Sequence, residues 1–171
     1  MIDPREYESL ARETGAFKDI ELEILKESLS AWQKKPGDPY TILELRDGKV
    51  LAGFAIMCRE ASSDYTFDVR AICVDPSYLG KGVTGSILGM LEDELLKSEG
   101  SAILRIETSA KKEAAIGLCI LAEKGYSLIG HIPDFYEPGD DYFMYAKHLR
   151  RAAANPDKGR AVAEGEGGGP S

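Results

Sequence analysis

Cationic side chains are in short supply in this chain: 21 lysines and arginines face 29 aspartates and glutamates, for a formal net charge of −8. A surface of that sign argues against nonspecific nucleic-acid binding, which draws on basic patches. It says little about small substrates, because local charge can oppose the total. Cysteine is scarce as well. Cys58, Cys73 and Cys119 are odd in number, match no zinc spacing, and sit in apolar contexts, so three reduced, buried thiols are expected. The only histidines, His131 and His148, fall on different predicted strands and cannot complete a zinc site unaided, so both read as structural. No apolar run approaches the ~18 residues that cross a bilayer. The start, Met1-Ile2-Asp3-Pro4-Arg5-Glu6, lacks the basic-then-apolar pattern of a secretory signal. Together these absences point to the cytoplasm, with neither membrane nor nucleic acid as a partner and no metal.

What is present is an ordinary globular mixture, 43% apolar and 29% charged over 171 residues, enough for one domain with one core. The composition changes near the end. From Arg150 the chain reads RRAAANPDKGRAVAEGEGGGPS, with no aromatic residue and Val162 as its one large aliphatic. Such a segment cannot bury enough apolar surface to offset chain entropy. The expected organisation is a folded domain over 1–149 and a disordered tail over 150–171.

Apolar periodicity predicts helices over Pro4 to Thr14 and Asp19 to Lys34, the second with Ile20, Ile24 and Leu25 on one face that Leu29 and Trp32 extend. Strands follow at Tyr40 to Arg46 and Val50 to Arg59, joined at Asp47-Gly48, a hairpin signal. A third strand runs from Tyr65 to Val74. A helix from Ser86 to Ser98, a strand from Ala102 to Glu107 and a helix from Lys111 to Lys124 come next. Gly125 stands where a glycine often closes a helix. Strands at Tyr126 to Ile132 and Tyr142 to His148 flank a loop from Pro133 to Asp141. The central strand-helix-strand passage implies one parallel pair inside an otherwise antiparallel sheet, an α+β fold.

Between the third strand and its helix lies Val74-Asp75-Pro76-Ser77-Tyr78-Leu79-Gly80-Lys81-Gly82-Val83-Thr84-Gly85. A glycine-rich turn feeding a helix makes an anion site: the first amides of the helix lack internal partners, and the helix dipole adds positive charge. Lys81 adds a cation at the rim. The plain alternative is a turn whose glycines serve only its tightness. The spacing is not that of the P-loop, since Gly82 follows Lys81. Gly80, Gly82 and Gly85 fit the dinucleotide fingerprint in spacing, but the surrounding βαβαβ series and acidic strand end are missing.

Val74-Asp75-Pro76 with Leu79-Gly80-Lys81-Gly82-Val83 resembles the pyrophosphate loop of GNAT acetyltransferases, written [QR]-x-x-G-x-[GA] after a strand ending V-x-P. Leu79 stands in place of the Gln or Arg and Thr84 in place of the final small residue. The element order over Phe17 to Leu149 is similar to the GNAT core, and Ile132 to Asp141 looks like the last hairpin of a bacterial GNAT subgroup of unsettled substrate. The resemblance implies a GNAT fold: a mixed, mostly antiparallel sheet with a parallel pair at the acetyl-CoA cleft, flanked by helices. It implies acetyl transfer from acetyl-CoA to a small-molecule or peptide amine by direct attack in a ternary complex. The alternative is a catalytically weakened CoA-binding module with a regulatory or assembly role. A homodimer is compatible with either.

Carried over by position, residues 79–85 (Leu79, Gly80, Lys81, Gly82, Val83, Thr84 and Gly85) hold the pyrophosphate. Cys73 and Val74 offer backbone groups to the pantetheine and the thioester oxygen. Asp68, on the strand leading to the loop, resembles the carboxylate base of the histone-modifying members. Its plain reading is a solvated or ion-paired acid beside Arg70. Glu107, at the end of the next parallel strand, is the second candidate base. The family's usual tyrosine acid falls at Leu121, and the usual asparagine is replaced by the run Lys111-Lys112-Glu113, so Tyr136 in the last hairpin or water is left to protonate the thiolate. The acids Asp134, Asp140 and Asp141 around it suit a cationic acceptor.

Overall fold

The computed structural model describes residues 3–111 and 118–151, and the side chains of residues 118 and 119 are outside that description. Helix α1 spans Pro4–Glu13, opened by the Asp3 carboxylate accepting from the Arg5 amide at 3.1 Å and by proline at its first position. Helix α2 spans Asp19–Lys34, and its Glu21 side chain accepts from the Lys18 amide at 2.8 Å. The six strands are β1 (Tyr40–Asp47), β2 (Val50–Arg59), β3 (Thr66–Val74), β4 (Ser101–Ser109), β5 (Ser127–Glu137) and β6 (Asp140–Arg150). They form one sheet in the order β1-β2-β3-β4-β6-β5, in which only β3 and β4 run parallel. This is the mixed α+β sheet that the sequence implies. Helix α3 (Val83–Ser98) joins β3 to β4, and α4 (Leu118–Glu123) precedes β5.

Two apolar layers sandwich the sheet. On one face Tyr7, Leu10, Leu22, Leu25 and Leu29 from α1 and α2 pack on Phe54, Ile56 and Cys73. On the other, Ile87, Leu88, Leu91 and Leu95 of α3 pack on Ala55, Met57, Val69 and Leu104. Strand β2 is therefore buried on both sides along its whole length except its end residues. Arg46 bridges Glu6 at 2.7 Å and Glu44 at 3.1 Å, and the Tyr7 hydroxyl donates to Glu44, which pins α1 to β1. At Gly53 a Cβ would stand 2.7 Å from the Cys73 carbonyl oxygen and 2.8 Å from Ile87 Cδ1, so the bare backbone is what lets β2, β3 and α3 meet.

The structure corrects several expectations. Helix α2 buries Leu22, Leu25 and Leu29, while Ile20 and Ile24 stand 66% and 50% exposed; Ile24 borders a cavity instead of the core. Helix α3 begins at Val83, not Ser86, because Gly82 takes a left-handed conformation (φ 80°) and caps it. The loop expected from Pro133 to Asp141 is mostly strand: β5 continues to Glu137, which pairs with Asp140 across a tight turn at Gly139 (φ 81°). A shift in register between Ile132 and Glu137, with Asp134 at φ 53°, absorbs Pro133. Strand β6 runs on to Arg150, and the Arg151 amide donates to the Gly100 carbonyl at 3.0 Å. The predicted helix from Lys111 is described only at its ends, and the tail over 152–171, Lys112, Glu113 and the Cys119 side chain lie outside the described residues. Cys58 and Cys73 are buried thiols outside any disulfide.

Candidate active site

The site begins as a failure of strand pairing. Strands β3 and β4 pair only from Thr66↔Ile103 to Val69↔Ile106. Beyond that rung β3 stays with β2 and β4 stays with β6, so the two diverge. An extra residue on β3 forces the divergence. Val69 opposes Met57 and Ala71 opposes Ile56, which leaves Arg70 without an opposite number on β2. Such a bulge bends its strand and sharpens the local twist. Past Val69 the edge of β3 turned toward β4 has no strand partner.

The fork opens toward both layers. A chamber of about 110 Å³ lies on the α3 side, bounded by Val74, Pro76, Leu79 and Thr84. A larger one, about 300 Å³, lies on the α2 side, bounded by Glu21, Ile24, Leu25, Ser28, Asp68, Arg105, Ser109 and Tyr136. They share Phe17, Val69, Arg70, Ala71, Glu107 and Thr108, so the two chambers adjoin along the fork.

At the α3 end the Asp75 carboxylate accepts from the Ser77 amide at 2.8 Å and starts a short 3₁₀ turn, Pro76–Tyr78. Gly80 (φ 75°) and Gly82 (φ 80°) then reverse the chain into α3. A Cβ on either would touch nothing, so glycine is required there by backbone conformation and not by space. The amides of Val83, Thr84 and Gly85 begin the helix without carbonyl partners inside it, and its first turn carries no acid. Lys81 Nζ rests 5.1 Å over the Tyr78 ring, and the Tyr78 hydroxyl donates to Asp47 at 2.9 Å, tying the loop to the β1–β2 turn. Left-handed glycines, unpaired first-turn amides and a first helical turn without acid are features that suit an anion.

At the α2 end the two candidate bases differ. Asp68 is buried and gripped by Arg105, whose Nε donates to Oδ1 at 2.7 Å and whose Nη2 donates to Oδ2 at 2.9 Å. Arg105 also reaches Glu60 at 3.1 Å. The partner of Asp68 is therefore Arg105, not the Arg70 expected from the sequence. Glu107 is exposed to the cleft, at the first position past the last rung of β4. The Tyr142 hydroxyl lies beside it; burial, then the charge of Glu107, pushes its pKa up to about 12. Tyr136 borders the same chamber, its pKa raised by burial and then by Glu107 and Glu21. Leu121, at the family's tyrosine position, is in the core at 1% exposure and takes no part. His131 is on the surface of β5, stacked on Phe143 and bonded to Asp141 at 2.7 Å, away from the fork.

A sequence model of the acetyltransferase (GNAT) family matches residues 5–126. The chain belongs to the GNAT acetyltransferase family. A described GNAT-family acetyltransferase structure from Desulfovibrio desulfuricans superposes with a TM-score of 0.76 at 21% identity, over 86% of this chain and 92% of that one. An aminoglycoside 6′-N-acetyltransferase complexed with coenzyme A superposes with a TM-score of 0.68 at 16% identity, over 90% and 93%. A curated relative, an uncharacterized protein of Mycobacterium leprae, is 33% identical over 102 residues. This GNAT chain spans only 27% of that relative's length, and the match takes in 58% of the chain. Among the described residues of this GNAT domain no group of three or more His, Cys, Asp or Glu could hold a metal ion, and no helix is long and apolar enough to cross a membrane.

Sequence reasoning missed Arg105, Arg70 and Tyr142. Arg105 had a signal: it interrupts the apolar strand Ala102-Ile103-Leu104-Arg105-Ile106, where a charge implies a buried partner. Arg70 and Tyr142 had none, because a bulge and a cross-strand neighbour appear only once the sheet is built.

Proposed function

We propose that the domain transfers an acetyl group from acetyl-CoA to an amine by direct attack within a ternary complex. The observation that carries this reading is the fork past Val69 and Ile106, with the glycine loop bordering one chamber and Glu107 lining both. The pyrophosphate sits on the loop from Leu79 to Gly85, and the pantetheine runs along the open edge of β3 at Cys73 and Val74. A backbone N–H on that edge stabilises the oxyanion of the tetrahedral intermediate. The aminoglycoside enzyme of the same fold, complexed with coenzyme A, supports the choice of co-substrate.

Glu107 takes the base role in this reading, since its carboxylate is in the cleft while that of Asp68 is occupied by Arg105. The amine nitrogen bonds to the thioester carbon, its proton passes to Glu107, and the carbon–sulfur bond breaks. Tyr136 and Tyr142 stay protonated at neutral pH. With pKa values above that of a thiol, about 8.5, they hold the leaving thiolate by hydrogen bonding, and water supplies the final proton. Asp68 acts as a positioning residue by fixing Arg105 behind the fork.

The test is direct. Acetyl-CoA raises the melting temperature of the wild-type protein, and an amine panel releases free CoA. Stabilisation with no release from any amine would leave a CoA-binding module, and no stabilisation would end the acetyl-transfer reading.

A further inference from the structure

Four of the eight described arginines are held by carboxylates. Arg5, Arg46, Arg59 and Arg105 each have a carboxylate partner within 3.1 Å. Arg70 has none among the described residues, although it lines both chambers of the fork. Its Nε donates to the Cys58 sulfur at 3.2 Å, a weak acceptor, and the charge of Asp68 also acts on it, while neither terminal nitrogen has a hydrogen-bond partner among the described residues. Arg70 is the bulged residue of β3, directly after the last rung at Val69, and Glu107 directly follows the matching rung at Ile106. Opposite charges thus stand first on either side of the opening, yet they form no salt bridge with each other. Between them the α2-side chamber is walled by apolar Phe17, Ile24 and Leu25.

We infer that Arg70 and Glu107 read a zwitterion, so that the acceptor carries a carboxylate beside its amine, as a free amino acid does. This rests on the acetyl-transfer reading and specifies its substrate class. A planar guanidinium with two free terminal nitrogens matches a carboxylate in bidentate fashion. Glu107 draws the ammonium; one proton leaves to water before attack, and Glu107 takes the proton that the nitrogen loses on bonding to the thioester carbon. A phosphate is a poorer match, because its second charge would meet Glu107 and Asp68 in the same chamber. One positive and one negative group balance the pair that lines the fork.

The experiment uses the full chain with acetyl-CoA and matched acceptors: L-leucine with 3-methylbutylamine, L-phenylalanine with phenethylamine, and 4-aminobutyrate with propylamine. CoA release gives kcat/KM for each. Calorimetric titration of the N-acetyl acids and the matched N-alkylacetamides into the CoA-loaded protein gives a second readout that needs no turnover. The inference expects at least a tenfold preference for the acid in one pair, in both readouts. Arg70→Met reduces that preference below twofold through KM, and Arg70→Lys restores part of it. Equal or reversed preference in all three pairs, absence of binding by every acid, or a preference that survives Arg70→Met overturns the inference. Acetylation of the plain amines alone would overturn this inference and leave acetyl transfer standing. Failure of acetyl-CoA to stabilise the protein would remove both.

Discussion

Strands β3 and β4 behave as two different structures along their length. From Thr66 to Val69 and Ile103 to Ile106 they are ordinary parallel neighbours, with Phe67, Val69, Leu104 and Ile106 in the core and Asp68 held by Arg105. From Arg70 and Glu107 onward they share no rung, and Arg70, Ala71, Glu107 and Thr108 line both chambers. The same two strands thus supply a half paired to each other and a half in which each keeps only its outer neighbour, β2 or β6. One inserted residue, Arg70, separates the two.

That contrast can be broken by substitutions that act on only one half. The largest effect is expected at the mouth. Gly82→Asp puts a charged side chain on the anion loop at a left-handed position and should weaken acetyl-CoA binding by more than about 100-fold, or some 2.7 kcal/mol. Loss of the ligand-induced melting shift is the readout, and retention of wild-type affinity would detach the loop from the ligand. Next is Glu107→Gln. Turnover should fall by about 10²-fold at neutral pH and recover as pH rises, since free amine becomes abundant without a base, while unfolding in urea stays within about 0.5 kcal/mol. A flat deficit across pH would give Glu107 a role other than base.

In the paired half the order of effects reverses. Leu104→Ala removes a fully buried side chain and should cost about 3 kcal/mol in urea unfolding, with KM for acetyl-CoA changed little. Asp68→Asn leaves Arg105 with Glu60 alone. It should cost about 1–2 kcal/mol, less than a fully buried pair because Arg105 is a quarter exposed. Should Asp68→Asn instead cut turnover at unchanged stability while Glu107→Gln does not, the base belongs at Asp68. The smallest effect is expected from removing residues 152–171: β6 ends at Arg150 and Arg151 closes on Gly100, so stability should change by less than about 0.5 kcal/mol. A much lower melting temperature would show that the tail docks.

Local chemistry made the architecture readable in advance. Asp47-Gly48 marked the β1–β2 hairpin, where Gly48 takes φ 60°, and the leucine spacing of α3 marked the helix behind the fork. Gly80 and Gly82 marked the turn into α3 for the same reason: a left-handed turn demands glycine whatever surrounds it. Where reading failed, the decisive contact lay far along the chain or depended on register. Asp68 and Arg105 are 37 residues apart, and Arg105 and Glu60 are 45 apart. Ile20 and Ile24 satisfied the helical period but the helix sits on Leu22, Leu25 and Leu29, because the cavity beneath Ile24 takes away its neighbours. Two prolines and four acids made Pro133 to Asp141 look like a loop, yet a shift in register lets β5 carry Pro133 and run on to Glu137, and β6 starts at Asp140.

Gly53 has a consequence at a distance from its own contacts. It sits where β2 touches the Cys73 carbonyl, Ile87 Cδ1 and, at 3.1 Å, Val83 Cγ1, and Val83 is the first residue of α3. The absent methyl therefore works as a gauge block: it sets how far the start of the helix, and the amides of the loop with it, stand from the floor of the cleft. Widening that gap by Gly53→Ala would tilt the helix entrance without placing an atom in either chamber. A backbone position with no side chain to offer a ligand thereby acquires authority over how tightly the loop can hold an anion.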